Sequence, residues 1–98
     1  MIIDLSLANT SLYRGCSIEQ VAGRANLKTP VPEAVGIVGR NIAIMMAATT
    51  PAERAEIVLT GPMAVWAYLV VFHAVVHLTS KITYDDGRSG RVVVAAHG

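Results

Sequence analysis

The segment Glu56–Leu78, with the sequence EIVLTGPMAVWAYLVVFHAVVHL, decides the fold of this chain. Its first five residues, Glu56–Thr60, form a short run rich in branched apolar side chains, which is typical of a buried strand. Gly61 and Pro62 follow directly, and such a pair ends a strand and allows a helix to begin. The apolar residues after the turn predict a helix from Pro62 to about Leu78. A strand, a tight turn and a helix in this order indicate an α/β protein.

The composition fits one small domain. The chain has 98 residues, of which 53% are apolar, so a single domain over residues 1–98 can bury a core of its own. The net charge is +1 and the sequence shows no basic stripe or patch of the kind that coats nucleic acid, so we expect no duplex nucleic acid as a partner. The single cysteine, Cys16, excludes an internal disulfide, and the N-terminus lacks the basic start of a signal peptide. We therefore predict a cytoplasmic protein.

The rest of the chain alternates between strand and helix patterns. Ile2–Leu7 alternates apolar and polar residues, as in a half-buried strand. Ser17 with Gln20 three residues later is a capping-box pattern, which predicts a helix to about Asn26. Pro32 suits the first position of a further helix, which should end near Ala48. Its predicted inward side chains are Val35, Val38, Ile42 and Met45 or Met46.

The C-terminal part reads as a β-hairpin. Lys81–Tyr84 and Arg91–Ala95 are strand patterns on either side of the polar segment 85–90, which contains an Asp-Gly turn signal. Together with the N-terminal strand and Glu56–Thr60, they predict a mixed sheet of about four strands with about three helices.

Two apolar runs raise the alternative of a membrane hairpin. The run Val35–Ala48 is interrupted by two glycines, an arginine and an asparagine. The run Pro62–Thr79 is at the lower limit of spanning length, and it contains His73 and His77, which are costly inside a bilayer. We therefore favour buried helices of a soluble α/β core and expect no membrane partner.

The helix after Gly61 has two apolar stripes. One stripe is the predicted core face and consists of Val65, Leu69, Phe72 and Val76. The other lies about 100° around the helix and consists of Trp66, Val70, His73 and His77. Two histidines four residues apart can reach one cation, and neutral imidazole is a common ligand. Asp85, Asp86 and His97 are the available third donors, although both histidines could instead be boundary residues without chemistry.

The turn Thr60-Gly61-Pro62 is a second candidate site. Backbone N–H groups at the start of a helix, next to the carboxyl end of a strand, bind phosphate readily. A glycine at this point would let a ligand approach the backbone closely. The plainer interpretation is that the Gly-Pro pair only starts the helix.

The order of these features resembles the small CRISPR-associated Csx proteins of the third family, which are ring nucleases acting on cyclic tetra-adenylate. The resemblance covers residues 57–97. It is carried by Gly61-Pro62, by Trp66 seven residues before His73 with His77 four residues later, by Tyr84-Asp85 with Arg88, and by the run Val92-Val93-Val94 before His97. Asp86-Gly87 stands where the family has a single proline, so the turn is one residue longer.

The resemblance implies a Rossmann-like fold related to the CARF sensors of cyclic oligoadenylates. It also implies an enzyme that cleaves cyclic tetra-adenylate to linear products and so switches off type III antiviral signalling. Family members form homotetramers that stack head to tail around the cyclic nucleotide. A pure sensor or sponge for the same ligand, and a small interaction or membrane-associated protein, are the alternative functions.

The resemblance also assigns roles to single residues. Thr60, Gly61, Pro62 and Trp66 would bind the substrate. His73, Asp85 and His97 would hold a divalent metal, which is Mn²⁺ in the family. His77, Asp85 and Arg88 would be catalytic, because ring cleavage needs proton transfer and stabilisation of charge on the scissile phosphate.

Overall fold

Six strands and two helices follow one another in residues 1–97, the part of the chain that the computed structural model describes. Their order is β1 (Ile2–Asp4), β2 (Ile18–Val21), β3 (Arg24–Leu27), α1 (Val31–Ala47), β4 (Glu56–Thr60), α2 (Val65–Val75), β5 (Lys81–Asp85) and β6 (Arg91–Ala96).

Four of the strands form one mixed sheet in the order β1-β4-β5-β6. The strand β4 is parallel to β1 on one side and to β5 on the other, whereas β6 is antiparallel to β5. The helix α1 lies on the connection from β1 to β4, and α2 connects β4 to β5. Since the two helices also pack against each other, both cover the same face of the sheet. The predicted α/β fold with a mixed four-stranded sheet is confirmed.

The core lies between this helical layer and one face of the sheet. From the sheet it takes alternate residues, namely Ile3, Ile57, Leu59 and Ile82. From α1 it takes Val38, Ile42 and Met46, as the sequence predicts. Val35 is exposed, however, and the neighbouring Ala34 is buried in its place.

The helix predicted after Ser17 is wrong, because this segment is a β-hairpin. Residues of β2 and β3 pair in antiparallel register from Ile18 opposite Leu27 to Val21 opposite Arg24. Ala22 and Gly23 have φ values of 51° and 78°, which is the conformation of a tight two-residue hairpin turn. Ile18, Val21, Ala22 and Ala25 do follow helical spacing, but Gly23 lies among them and favours the two-residue turn, so tertiary packing and the turn decide in favour of strands.

The helix after Gly61 is shorter than predicted and turns a different face to the core. It spans only Val65–Val75, and its buried residues are Ala67, Val71 and Val75. The predicted core residues Val65 and Leu69 are instead 71% and 63% exposed. Nearly every position of this helix is apolar, so the periodicity of its sequence does not identify the buried side.

The third predicted helix is therefore absent from residues 1–97, where the helices are α1 and α2. Neither of them is long and apolar enough to cross a membrane.

Candidate functional site

The carboxyl ends of the three parallel strands meet at one edge of the sheet, which we call the upper edge. Asp4, Thr60 and Asp85 are the last residues of β1, β4 and β5, and they lie in register with one another. The hydroxyl of Thr60 donates a hydrogen bond of 2.9 Å to the carbonyl oxygen of Asp85, which ties two of these ends together. In open α/β sheets, ligands bind outside the carboxyl ends of the strands.

A cavity of about 330 Å³ lies at this edge. Its lining consists of Thr60, Gly61, Pro62, Met63, Tyr68, Tyr84, Asp85, Asp86 and Gly87. Three of the four residues predicted to bind substrate, Thr60, Gly61 and Pro62, thus lie together. Asp85, which was predicted to be catalytic and to hold a metal, lines the same cavity. The fourth, Trp66, is half-buried against the core and does not line the cavity.

Two tyrosines that were assigned no role in the site on the basis of sequence, Tyr68 and Tyr84, form the aromatic wall of the cavity. Their rings meet edge to face, with 5.5 Å between the centroids and an angle of 84° between the planes. The hydroxyl of Tyr68 donates a hydrogen bond of 2.6 Å to the carbonyl oxygen of Gly61. Burial raises the pKa of Tyr68, and the nearby Tyr84, Asp4 and Asp85 raise it further. Tyr68 therefore keeps its proton and holds the turn, while the exposed face of Tyr84 is available to a ligand.

Gly61 is required by the turn rather than by a ligand. Its φ of 103° is unfavourable for any residue with a side chain. A Cβ atom there would collide with a carboxylate oxygen of Asp4 and would crowd the backbone nitrogens of Leu5 and Ser6. The same carboxylate accepts hydrogen bonds from the backbone N–H of Ser6, at 2.8 Å, and from its hydroxyl, at 2.9 Å. The missing side chain thus lets the turn after β4 pack against the end of β1.

The turn after β5 is shaped by its own aspartates. One carboxylate oxygen of Asp85 accepts a hydrogen bond from the Gly87 N–H, and the other lies 3.5 Å from Nε of Arg91. Asp86 accepts hydrogen bonds from the N–H groups of Arg88 and Ser89, which lower the pKa of its carboxyl group. The turn from Asp85 to Ser89 is therefore a regular hydrogen-bonded loop.

Arg88 and Arg91 are the cations nearest to the cavity in sequence. Arg91 is the ion-pair partner of Asp85, a role that the sequence analysis did not assign to it. The sequence could have indicated this ion pair, because Arg91 begins the strand that follows the Asp-Gly turn and therefore lies opposite Asp85 in a hairpin. Arg88 is exposed in the turn and does not line the cavity.

The three histidines lie toward the opposite end of the sheet, which we call the lower edge, where β4 and β5 begin. His73 is in the last turn of α2, and His77 follows the end of that helix. His97 follows β6, whose last residue lies opposite Lys81, and its backbone N–H donates to the carbonyl oxygen of Ser80. Both His73 and His77 are exposed.

The strand β5 separates these histidines from Asp85. Four residue steps from Lys81 to Asp85 span about 13 Å. Within residues 1–97, no group of three His, Cys, Asp or Glu side chains converges in a way that could hold a metal ion. A single copy of the chain therefore does not gather His73, Asp85 and His97 around one ion, nor does it bring His77 to Arg88.

Comparisons with protein-family models, with curated protein sequences and with solved structures give no match for this chain.

Proposed function

We propose that this chain is a ring nuclease that cleaves cyclic tetra-adenylate to linear products, and that it thereby switches off type III antiviral signalling. The observation that supports this best is the cavity at the upper edge. It contains Thr60, Gly61, Pro62 and Asp85, which are residues that the family resemblance had assigned to the site. The cavity also lies outside the carboxyl ends of parallel strands, the edge at which open α/β sheets bind ligands.

The chemistry of the upper edge suits an adenylate. The helix α2 begins after Ala64 with no side-chain cap, and Ala67 donates its N–H to the carbonyl oxygen of Ala64, so the N–H groups of Val65 and Trp66 are the ones available to phosphate oxygens. The ring of Tyr84 offers a surface on which adenine can stack. Arg88, at the rim, can bind a phosphate oxygen pair through its guanidinium fork. In this proposal the upper edge binds the ring and its scissile phosphate.

The proton-transfer groups would come from a second copy. In a head-to-tail stack of homotetramers, the lower edge of one copy faces the upper edge of the next, so His77 of one copy would approach Arg88 of its neighbour. Cleavage needs attack on phosphorus by a ribose 2′-oxygen or by water, together with protonation of the leaving oxygen. A histidine near neutral pH can take the first proton and give the second.

The proposed Mn²⁺ site would also span two copies. It would take His73 and His97 from one copy and Asp85 from the next, since a single copy keeps them at opposite edges. Imidazole and carboxylate donors suit Mn²⁺, and a bound divalent ion would polarise the phosphate.

A second candidate function is binding without cleavage, as a sensor or sponge. The separation of the cavity from the histidines favours it, because one copy holds the ligand-binding groups without the groups for proton transfer. Cleavage requires that copies stack, so that the histidines of one copy reach the cavity of the next, whereas binding without cleavage does not require stacking.

One experiment separates the candidates. Purified protein is incubated with cyclic tetra-adenylate, with added Mn²⁺ or with EDTA, and the products are resolved by chromatography while binding is measured in parallel. We expect His77→Ala and Arg88→Ala each to lose about 100-fold or more in turnover. The control Arg40→Ala, on the exposed side of α1, should retain full activity. Binding without cleavage by the unmodified protein would favour the sensor, and absence of binding would contradict both.

Mixing the two inactive variants tests the shared site. If each site takes His77 from one copy and Arg88 from another, random pairing restores about a quarter of the unmodified activity. A mixture that stays inactive, with an active unmodified protein, would contradict a site built from two copies.

A further inference from the structure

The second face of the sheet is covered by no helix in residues 1–97. The core uses Ile3, Ile57, Leu59 and Ile82 on the helical side, and successive strand residues point to opposite faces. The loop between β1 and β2 also packs on the helical side, where Leu12 and Tyr13 join the same core. The residues between the core positions therefore form an open surface, which we call the open face.

An apolar row crosses the middle of the open face. It consists of Ile2, Val58, Thr83 and Val93, which lie directly opposite one another on β1, β4, β5 and β6. The two outer residues, Ile2 and Val93, are 62% and 52% exposed, whereas Val58 in the middle of the row is only 4% exposed, so the apolar area that a partner could cover lies at the two ends of the row. Thr83 is only 3% exposed, and its hydroxyl oxygen has no hydrogen-bond partner within residues 1–97.

The charges of the open face are divided between its two halves. The half made of β1 and β4 carries Asp4 and Glu56, whereas the half made of β5 and β6 carries Lys81 and Arg91. Glu56 and Lys81 are neighbours within the chain, with 3.7 Å between Oε2 and Nζ, and both side chains are about half exposed. Asp85 is the exception, as an acid in the basic half, and Arg91 pairs with it.

We propose that the open face binds the open face of a second copy of this chain about a twofold axis that is parallel to the strands and lies between β4 and β5. This rotation places the acidic half of each copy over the basic half of the other. Glu56 then faces Lys81 of the second copy, and Asp4 faces Arg91. Ile2 faces Val93, Val58 faces Thr83, and the hydroxyl of Thr60 faces the carboxylate of Asp85.

The geometry of sheet packing fits this arrangement. Two sheets stacked face to face keep their strands nearly aligned and lie about 10 Å apart, which suits a row of valine, isoleucine and threonine side chains. A twofold axis makes the contact self-complementary, and every contact occurs twice. The four strands give a face about 19 Å wide and about 10 to 20 Å long, which is smaller than the roughly 800 Å² per partner of a standard stable interface, so the dimer should be weak. The contact needs no ligand in order to form, although Thr60 and Asp85 take part in it and also line the candidate cavity.

Charge reversal in two separate variants tests the contact. In Glu56→Lys, the introduced lysine would face Lys81 of the second copy, and in Lys81→Glu two glutamates would face each other. We expect either variant alone to weaken dimerisation about tenfold or more, because the repulsion occurs twice. An equimolar mixture should dimerise again as a heterodimer, since each copy then presents the charge that the other lacks. The pairing of residues 56 and 81 within one chain is not restored by mixing, so recovery reports only the contact between copies.

The measurement is sedimentation velocity over a range of protein concentrations without nucleotide. The control Leu69→Lys adds a charge to the apolar groove between α2 and β6, which is separate from the open face, and it should leave the dimer unchanged. A monomeric unmodified protein at about 100 μM would overturn the proposal. An oligomer that survives both reversals, or that is lost only in Leu69→Lys, would also overturn it.

Discussion

The carboxylate of Asp4 occupies the space into which a side chain on Gly61 would project. The contact joins the end of β1 to the turn after β4, two parts of the chain that are 57 positions apart and that together form the upper edge. The turn lines the candidate cavity, so this contact positions the site as well as the fold.

Gly61→Ala should therefore destabilise the protein strongly. The new Cβ collides with Asp4, and the backbone must also keep a φ of 103°, so we expect a loss of about 3 kcal/mol in the free energy of unfolding. Urea denaturation measures it. The matched control is Gly87→Ala, where φ is 77° but no atom lies within 4 Å of the new Cβ, so only about 1 kcal/mol is expected. Equal losses in the two variants would contradict a collision at Gly61.

Thr83→Val should raise the stability of the monomer. The Thr83 hydroxyl is buried without a hydrogen-bond partner in the described residues, and valine has the same shape without the polar group, so we expect a gain of about 1 kcal/mol. Thermal unfolding at low protein concentration, where copies do not associate, is the measurement. Thr60→Val is the control, since it removes a hydroxyl that donates to Asp85 and should cost about 1 kcal/mol. A loss of stability in Thr83→Val would show that its hydroxyl is satisfied.

The buried side of α2 can be identified by two substitutions. Val71 is fully buried, so Val71→Ala leaves a cavity and should cost about 2 kcal/mol or more in the free energy of unfolding. Leu69 is largely exposed, and Leu69→Ala should change it by less than about 0.5 kcal/mol. A larger loss of stability in Leu69→Ala than in Val71→Ala would instead show that the buried face of α2 is the one predicted from the sequence, which contains Val65 and Leu69.

The stability of the protein should fall in alkaline solution because of Tyr13. Burial raises the pKa of Tyr13 far above its usual value, with smaller contributions from Asp4, Cys16 and Tyr68. The folded protein therefore keeps this proton while the unfolded chain loses it near pH 10. The stabilisation is fully present below about pH 10 and decreases by about 1.4 kcal/mol per pH unit above it, until the folded pKa is reached.

Tyr13→Phe tests this pH dependence. The variant should lose about 1 kcal/mol at neutral pH, because the Tyr13 hydroxyl donates to the carbonyl oxygen of Leu5. Its stability should then decrease less steeply than that of the unmodified protein between pH 10 and pH 11. Urea denaturation across this range is the measurement, and Tyr84→Phe, which keeps Tyr13, should retain the steep decrease.

The candidate site was only partly predictable. Thr60, Gly61 and Pro62 follow one strand directly, so their place at its carboxyl end follows from chain order. Asp85 lies beside Thr60 because β5 pairs with β4 in parallel, and this pairing cannot be read from chain order. Tyr68 and Tyr84 were not assigned to the site, because their contact joins a helix to a strand 16 positions away and no local pattern reports such a contact.

The sequence by itself determined the elements whose signals are local. Residue type, spacing and turn chemistry act over a few neighbouring residues, and they predict the strand Glu56–Thr60, the start of α1 within one residue of Pro32 and the C-terminal hairpin. Only the tertiary structure decided that residues 18–27 form a hairpin and that α2 buries Ala67 and Val71. It also decided that the histidines and Asp85 lie at opposite edges, because the direction of each strand in the sheet depends on pairing between distant segments.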